Sequence, residues 1–255
     1  MLKKSVNLFG LEISDISIRR AWELARASLL LGERRVFFTP NLEMLEAARK
    51  SHQTKSLLNS ASVLLPDGVG VLIVSRLLNA PISSKVPGID FGEGLIALCE
   101  REGKSVFLLG GRIGIAKKAA KNLLKKHPRL KICGIHDGYY NEKQEIELVN
   151  KIKRAESEVL IVCMGFPRQE KFVVSHQNDF ADIKVIACLG GAVDIWSGKK
   201  KRAPEFLRRT HLEWAWRTVI EPQRVIRIAK SLPVLAFALG DKFQKTVKNI
   251  SIKAK

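Results

Sequence analysis

Three observations predict an α/β fold built on an open, mostly parallel, Rossmann-like sheet flanked by helices. Short, continuously apolar runs recur through the first 200 residues of the 255-residue chain. Amphipathic segments with helical spacing separate them. Most of the runs end at once in Gly, Pro, Asn or Asp. Continuous rather than alternating apolarity marks strands buried on both faces, as in a parallel sheet. Repeated β-then-α order calls for right-handed crossovers. Ligands of such sheets bind beyond the carboxyl ends of the strands, so chemistry is expected in the turns that follow the runs.

The strand-like runs cover 36–39, 62–65, 105–109, 131–135, 159–164 and 185–189. A helix is expected over 15–31, where Ile18, Ala21, Trp22, Ala25 and Leu29 share a face, and another over 114–126, where Ile115, Ala119, Leu123 and Leu124 oppose a row of lysines. Asn141 is expected to cap a helix carrying Ile146 and Val149, and Asp90 a helix running to Cys99. Beyond about residue 200 the strand-like runs stop, and Arg, Lys, Trp and broken helical segments take over. The expected organisation is an α/β core over 1–200 and a basic helical appendage over 201–255.

Charge is unevenly placed. The net charge is +19, of which residues 199–255 contribute +11 from 15 Lys/Arg against 4 Asp/Glu. That imbalance points to a polyanionic partner. Cys99, Cys133, Cys163 and Cys188 form no Cys-x-x-Cys pair, so buried free thiols are expected rather than a zinc site or disulfides. Two lysines near the start have no apolar stretch behind them, so no signal peptide is expected. No run approaches the roughly 20 apolar residues of a spanning helix. A cytoplasmic protein is expected.

Each turn carries a functional and a structural reading. Thr39 and Asn41, around Pro40, offer neutral groups for sugar hydroxyls or an amide, or Asn41 caps the next helix. Asp67, in Pro66-Asp67-Gly68, places a carboxylate at the mouth of the sheet, where it can act as a general base or serve as a turn residue. Gly110 and Gly111 let phosphate approach backbone N–H groups, or make a tight turn; their spacing is not that of a dinucleotide fingerprint. Arg168 offers a fork for phosphate and Gln169 a donor and an acceptor. Gly190 and Gly191 again permit close approach, and Asp194 lies where a carboxylate can bind ribose hydroxyls or a base edge.

Taken in order, the segments Thr39-Pro-Asn41, Pro66-Asp-Gly68, Val86-Pro-Gly-Ile-Asp90, Leu108-Leu-Gly-Gly111, Asp137-Gly-Tyr-Tyr140, Met164-Gly-Phe-Pro-Arg-Gln-Glu170, Gly190-Gly-Ala-Val-Asp194, Gly198-Lys-Lys-Lys-Arg-Ala-Pro204, Leu212-Glu-Trp-Ala-Trp-Arg217 and Glu221-Pro-Gln-Arg224 closely resemble the WecG–TagA–CpsF family of glycosyltransferases. The resemblance runs from about Leu8 to Arg227. It implies an inverting hexosyltransferase that needs no metal and no cofactor. The donor would be UDP-N-acetylmannosamine or its uronic acid, and the acceptor undecaprenyl-diphosphate-GlcNAc. The product would feed wall teichoic acid, enterobacterial common antigen or capsule. Carried onto this chain, the resemblance makes Asp67 the base and Thr39, Asn41 and Gln169 polar pocket residues. Tyr139 and Asp194 fall near the nucleotide, and Arg217, Arg224 and Arg227 complete the site from the appendage. Phe166 stands where many relatives have Ser, and Val86-Pro87 where many have Val-Ala.

The residues agree with that chemistry. Inversion needs a base for the acceptor hydroxyl and stabilisation of a leaving diphosphate. No Asp-x-Asp motif offers to hold a metal there, so arginines and backbone N–H groups must serve. Arg217, Arg224 and Arg227, seven and three apart, would lie broadly on one helix side, although Pro222 interrupts the segment. Trp214, Trp216, Phe237 and Phe243 with the surrounding lysines suit an anionic membrane surface, placing the enzyme peripherally on the inner face of the cytoplasmic membrane. A homo-oligomer is left open. Two rival functions fit less well. An NAD-dependent oxidoreductase lacks its Gly-x-Gly-x-x-Gly fingerprint. A nucleic-acid-binding protein lacks a recognisable stacking motif, so no nucleic-acid partner is expected.

Overall fold

The computed structural model describes residues 4–210 and 212–253; the side chains of residues 217, 224 and 244–253 lie outside the described set. The chain opens with a hairpin of β1 (Ser5–Leu8) and β2 (Leu11–Ser14), followed by α1 (Ile18–Leu31). Then come β3 (Arg35–Phe38), α2 (Leu42–Lys50), α3 (His52–Asn59), β4 (Val63–Leu64), α4 (Val69–Leu77) and α5 (Gly88–Glu102). They are followed by β5 (Ser105–Gly110), α6 (Ile115–Lys126), β6 (Lys131–His136), α7 (Glu142–Arg154), β7 (Val159–Cys163), α8 (Arg168–His176), β8 (Val185–Cys188) and α9 (Ala192–Trp196). Three helices close the chain: α10 (Glu205–Arg209), α11 (Glu213–Ile220) and α12 (Arg224–Lys253).

β3 to β8 form one six-stranded parallel sheet in the order β4-β3-β8-β7-β5-β6. Successive strand residues feed opposite cores. Phe38, Leu109, Val162 and Cys188 pack under α2, α3, α4, α7, α8 and α12. Phe37, Leu108, Ile161 and Ala187 pack under α1, α5, α6 and α9. Helices on both faces are why these runs are apolar without alternation.

Three expectations need correction. The run at 131–135 is the edge strand β6, paired among the described residues only with β5, and its Cys133 is exposed whereas Cys99, Cys163 and Cys188 are buried. Asp90 does not cap α5; Pro87 holds the cap position and Asp90 sits in the first turn. The first helix starts at Ile18, capped by the Ser17 hydroxyl, because Asp15 is occupied by Lys4 and by the N–H and hydroxyl of Ser83. Asn141 caps α7 as expected, in a reciprocal capping box with Gln144.

The β1–β2 hairpin has no counterpart among the predicted strands. Its turn residues Phe9 and Gly10 both have positive φ, 55° and 83°. Hairpins of that kind are signalled by Asn-Gly, and Phe-Gly gives no such signal. Phe9 is held there by tertiary contact: its ring meets Phe237 of α12 edge-on, with centroids 5.9 Å apart. Phe237 also lies under the Arg49 guanidinium, at 4.8 Å, so part of its ring faces protein rather than solvent.

Candidate active site

Parallel pairing puts every strand's carboxyl end on one edge. There β3 leads into α2 on the first face, β8 into α9 on the second, and β7 into α8 on the first. Neighbouring strands that send the chain to opposite faces leave a crevice between their ends. Glycines mark the open part of it. A Cβ added at Gly68, Gly165, Gly190 or Gly191 would meet no atom within 4 Å. These four follow β4, β7 and β8, so the room lies over that side of the sheet.

Thr39 is buried in this crevice, and its hydroxyl donates to the Cys188 carbonyl at 3.1 Å, joining the ends of β3 and β8. Gly88, opening α5, is packed against it; a Cβ there would stand 3.2 Å from the threonine methyl. Asn41 caps α2, its side-chain oxygen accepting from the Met44 N–H, so that oxygen is spent on the helix. Asp67 is half-buried on the next turn, with its N–H bonded to the Pro40 carbonyl at 2.9 Å. Thr39, Asn41 and Asp67 are therefore brought together by the β3–β4 pairing.

Gln169 is buried at the centre of the crevice wall. Its side-chain oxygen accepts from the Gly165 N–H at 3.3 Å and the Gly190 N–H at 3.1 Å, tying the turns after β7 and β8 together. Its amide nitrogen donates to Glu170 at 2.8 Å. The carboxamide is thereby committed to the walls of the pocket. Glu170, which the sequence did not single out, is fully buried, and its second carboxyl oxygen has no hydrogen-bond partner. Burial pushes this carboxyl up to about 7, from 4.5. The folded protein thus holds a proton that the unfolded chain releases between about pH 4.5 and 7, and stability falls as pH rises through that window. Glu170→Gln has no such proton to lose. Its stability relative to the parent should rise across the same window and then level off, by on the order of 3 kcal/mol in full. Denaturant unfolding at pH 4.5 and pH 8 checks this; a pH-independent difference would mean that the carboxyl stays ionised.

The other expected residues are partly engaged by protein. The Gly111 N–H bonds to the Cys163 carbonyl at 3.1 Å. Gly110 has φ 142°, and a Cβ on it would lie 2.2 Å from the same carbonyl oxygen. These two glycines serve a close approach of β5 to β7, the structural alternative for that turn. Arg168 donates to the Tyr140 carbonyl at 3.0 Å and lies 4.4 Å over the Tyr140 ring. Tyr139 beside it is exposed. Asp194 is shared by Lys199 and Lys200, each at 3.6 Å. Among the described residues, no three His, Cys, Asp or Glu side chains could share a metal ion.

The C-terminal helices cross this edge. Arg202 pairs with Asp90 and Glu93 in the first turns of α5, on the second face. Lys200 joins Asp194 to Glu221, which lies between α11 and α12. α12 then packs on α2 and α4, on the first face, where Ser231, Val234 and Ala238 are buried. The segment between these anchors must pass over the carboxyl ends of the strands. It carries Arg217, Arg224 and Arg227. Arg227 is exposed; the side chains of Arg217 and Arg224 lie outside the described residues. The break at Glu221–Gln223 puts Arg217 on α11 and the other two on α12, so no single helix side holds all three.

A family model described as the glycosyl transferase WecG/TagA/CpsF family matches residues 6–248. The chain belongs to that family. It is similar to proteins named N-acetylglucosaminyldiphosphoundecaprenol N-acetyl-beta-D-mannosaminyltransferase from three bacteria. The one from Bacillus subtilis (strain 168) is 33% identical over 204 residues, 80% of this chain and 78% of the relative. The one from Staphylococcus aureus (strain MRSA252) is 30% identical over 210 residues, 82% and 81%. The one from Bacillus spizizenii (strain ATCC 23059 / NRRL B-14472 / W23) is 32% identical over 186 residues, 73% and 71%. This glycosyltransferase is a hexosyltransferase, and two of its signature segments acquire a physical reason. Arg202, from Gly198–Pro204, and Asp90, from Val86–Asp90, meet in one ion pair that anchors the C-terminal helices. The pairing was not read from sequence, where Asp90 was taken as a helix cap and 112 residues separate it from Arg202. Among the described residues, no helix of the glycosyltransferase is long and apolar enough to cross a membrane.

Proposed function

We propose that this glycosyltransferase moves N-acetylmannosamine, or its uronic acid, from UDP to undecaprenyl-diphosphate-GlcNAc, with inversion and without a metal. The product serves a cell-surface polysaccharide: the teichoic acid linkage unit, enterobacterial common antigen or capsule. The observation that carries this reading is the open space at Gly68, Gly165, Gly190 and Gly191, on the edge of the sheet where the turn with Asp67 also lies. The names of the relatives supply the sugar and the acceptor.

Asp67 takes the proton from the acceptor hydroxyl as its oxygen attacks the anomeric carbon, from the side opposite the UDP. The bond from that carbon to the β-phosphate oxygen breaks, and the electron pair leaves with UDP. Arg217, Arg224 and Arg227 stabilise the charge that develops on the diphosphate. Thr39, Asn41 and Gln169 shape the sugar pocket, the last by holding its walls. Tyr139, Arg168, Gly190, Gly191 and Asp194 surround the nucleotide, while Gly110 and Gly111 serve the close approach of β5 to β7 beside it. Residues 1–200 are the catalytic core; 201–255 bring the enzyme to the inner face of the cytoplasmic membrane and complete the site.

The direct experiment offers a lipid-diphosphate-GlcNAc analogue with a panel of UDP-sugars, in the presence of chelator, and identifies the product by mass and anomeric configuration. No transfer from any UDP-hexosamine, or transfer only with added metal, contradicts the proposal. Arg227→Ala provides a second check. Its side chain is exposed, so the melting temperature should not move, while turnover should fall about 10–150-fold, the value of a charge-assisted hydrogen bond. A collapse in melting temperature would assign Arg227 to a structural ion pair instead.

A further inference from the structure

We propose that the loop tip at Arg112–Ile113 and the first turn of α6 form a second contact with an anionic lipid surface, separate from the C-terminal helices, that sets the carboxyl edge of the sheet against the bilayer. This rests on the membrane reading above and names a surface for it.

Ile113 is 84% exposed, more than any other large apolar side chain among the described residues. It stands at the end of β5, on the same edge as the crevice, between the positive-φ glycines Gly111 and Gly114. Arg112 precedes it, and Lys117 and Lys118 follow in the first turn of α6, all exposed. Lys121, Lys125 and Lys126 continue the helix, which carries no acidic residue. None of these cations is in an ion pair with a described residue, whereas in α1 Arg19 and Arg20 are paired with Glu23 and Arg26 with Glu102. An exposed apolar tip ringed by unpaired cations matches an anionic headgroup layer over apolar chains. A nucleic acid would use the cations but leave the isoleucine without a role.

Geometry makes the tip a second point rather than part of the first. α6 lies on the face of α1, α5 and α9, while α12 lies on the opposite face. Trp214, Val219 and Ile226, exposed in the segment that crosses the edge, supply the other apolar contact. Two contacts on one edge fix its orientation to a plane, which a single helix cannot do. Because α6 runs from the carboxyl edge to the amino edge, Lys125 lies about 12 Å deeper than Lys117. That is beyond a Debye length of about 8–10 Å at moderate salt.

The test is co-flotation of the full-length protein with vesicles of phosphatidylglycerol and phosphatidylcholine, and of phosphatidylcholine alone, across a salt series. Lys117→Gln/Lys118→Gln should weaken binding to the anionic vesicles by about 25-fold, roughly fivefold per basic residue. Lys125→Gln/Lys126→Gln, with the same change in net charge, should weaken it by less than about twofold. Ile113→Ser should weaken binding in a way that added salt does not mask. Equal losses in the two lysine pairs, no loss in the first, or binding to an anionic polymer without flotation of the parent would each overturn the proposal. Turnover on a short-chain, water-soluble acceptor should be unchanged in the Lys117/Lys118 variant. A parent that floats and shows this pattern, yet transfers no sugar, would refute the proposed reaction and leave this surface standing.

Discussion

Asp67→Asn should lower turnover by about 10²–10⁴-fold while UDP affinity stays near that of the parent. The substitution preserves the shape of the turn and removes only the proton acceptor. The turn itself is held by backbone: the Asp67 N–H on the Pro40 carbonyl, and the Val86 N–H on the Pro66 carbonyl at 2.7 Å. Neither bond involves the side chain, so both remain available to the variant. Steady-state transfer and UDP titration, measured on the same preparation, separate the two effects. Near-normal turnover would reduce Asp67 to a turn residue.

A chain ending after Lys201 should lose turnover and vesicle binding together. It would lack the crossing segment with its three arginines and the exposed Trp214, Val219 and Ile226. Among the described residues the six strands pair only with one another, so circular dichroism should still report a folded α/β core. That core should melt earlier, because Val234 and Ala238 are wholly buried against α2 and α4 and their removal uncovers apolar surface there. The appendage expected from sequence is thus also part of one hydrophobic core. Equal binding of full-length and shortened protein to anionic vesicles, or undiminished turnover by the shortened one, would contradict this role.

Local chemistry made much of the fold legible. All six strands of the sheet lie at the predicted runs, and Asn141 caps its helix, because apolar runs and capping groups act over a few residues. The hairpin escaped because the contacts that hold its turn come from distant residues, Asn59 on the Gly10 carbonyl and Phe237 against the Phe9 ring, the latter more than two hundred residues away. The exposure of Cys133 escaped because strand order, and so which strand is the edge, is not written in any one run.

The candidate site divides in the same way. Sequence alone determined the parallel α/β class, the family, and the turns that would surround a crevice, since glycines, Pro-Asp-Gly and strand ends are local signals. Only the tertiary structure decided how those turns are used. It spends the Gly111 N–H on Cys163, commits Gln169 to two loops and to the buried Glu170, and leaves the open space at Gly68, Gly165, Gly190 and Gly191. It also carries the arginine-bearing helices across the edge, through Arg202 on one face and Val234 on the other. The physical reason is that a hydrogen-bonding group's availability depends on which distant carbonyl or carboxylate reaches it first. Long-range packing settles that competition, and sequence spacing does not encode it.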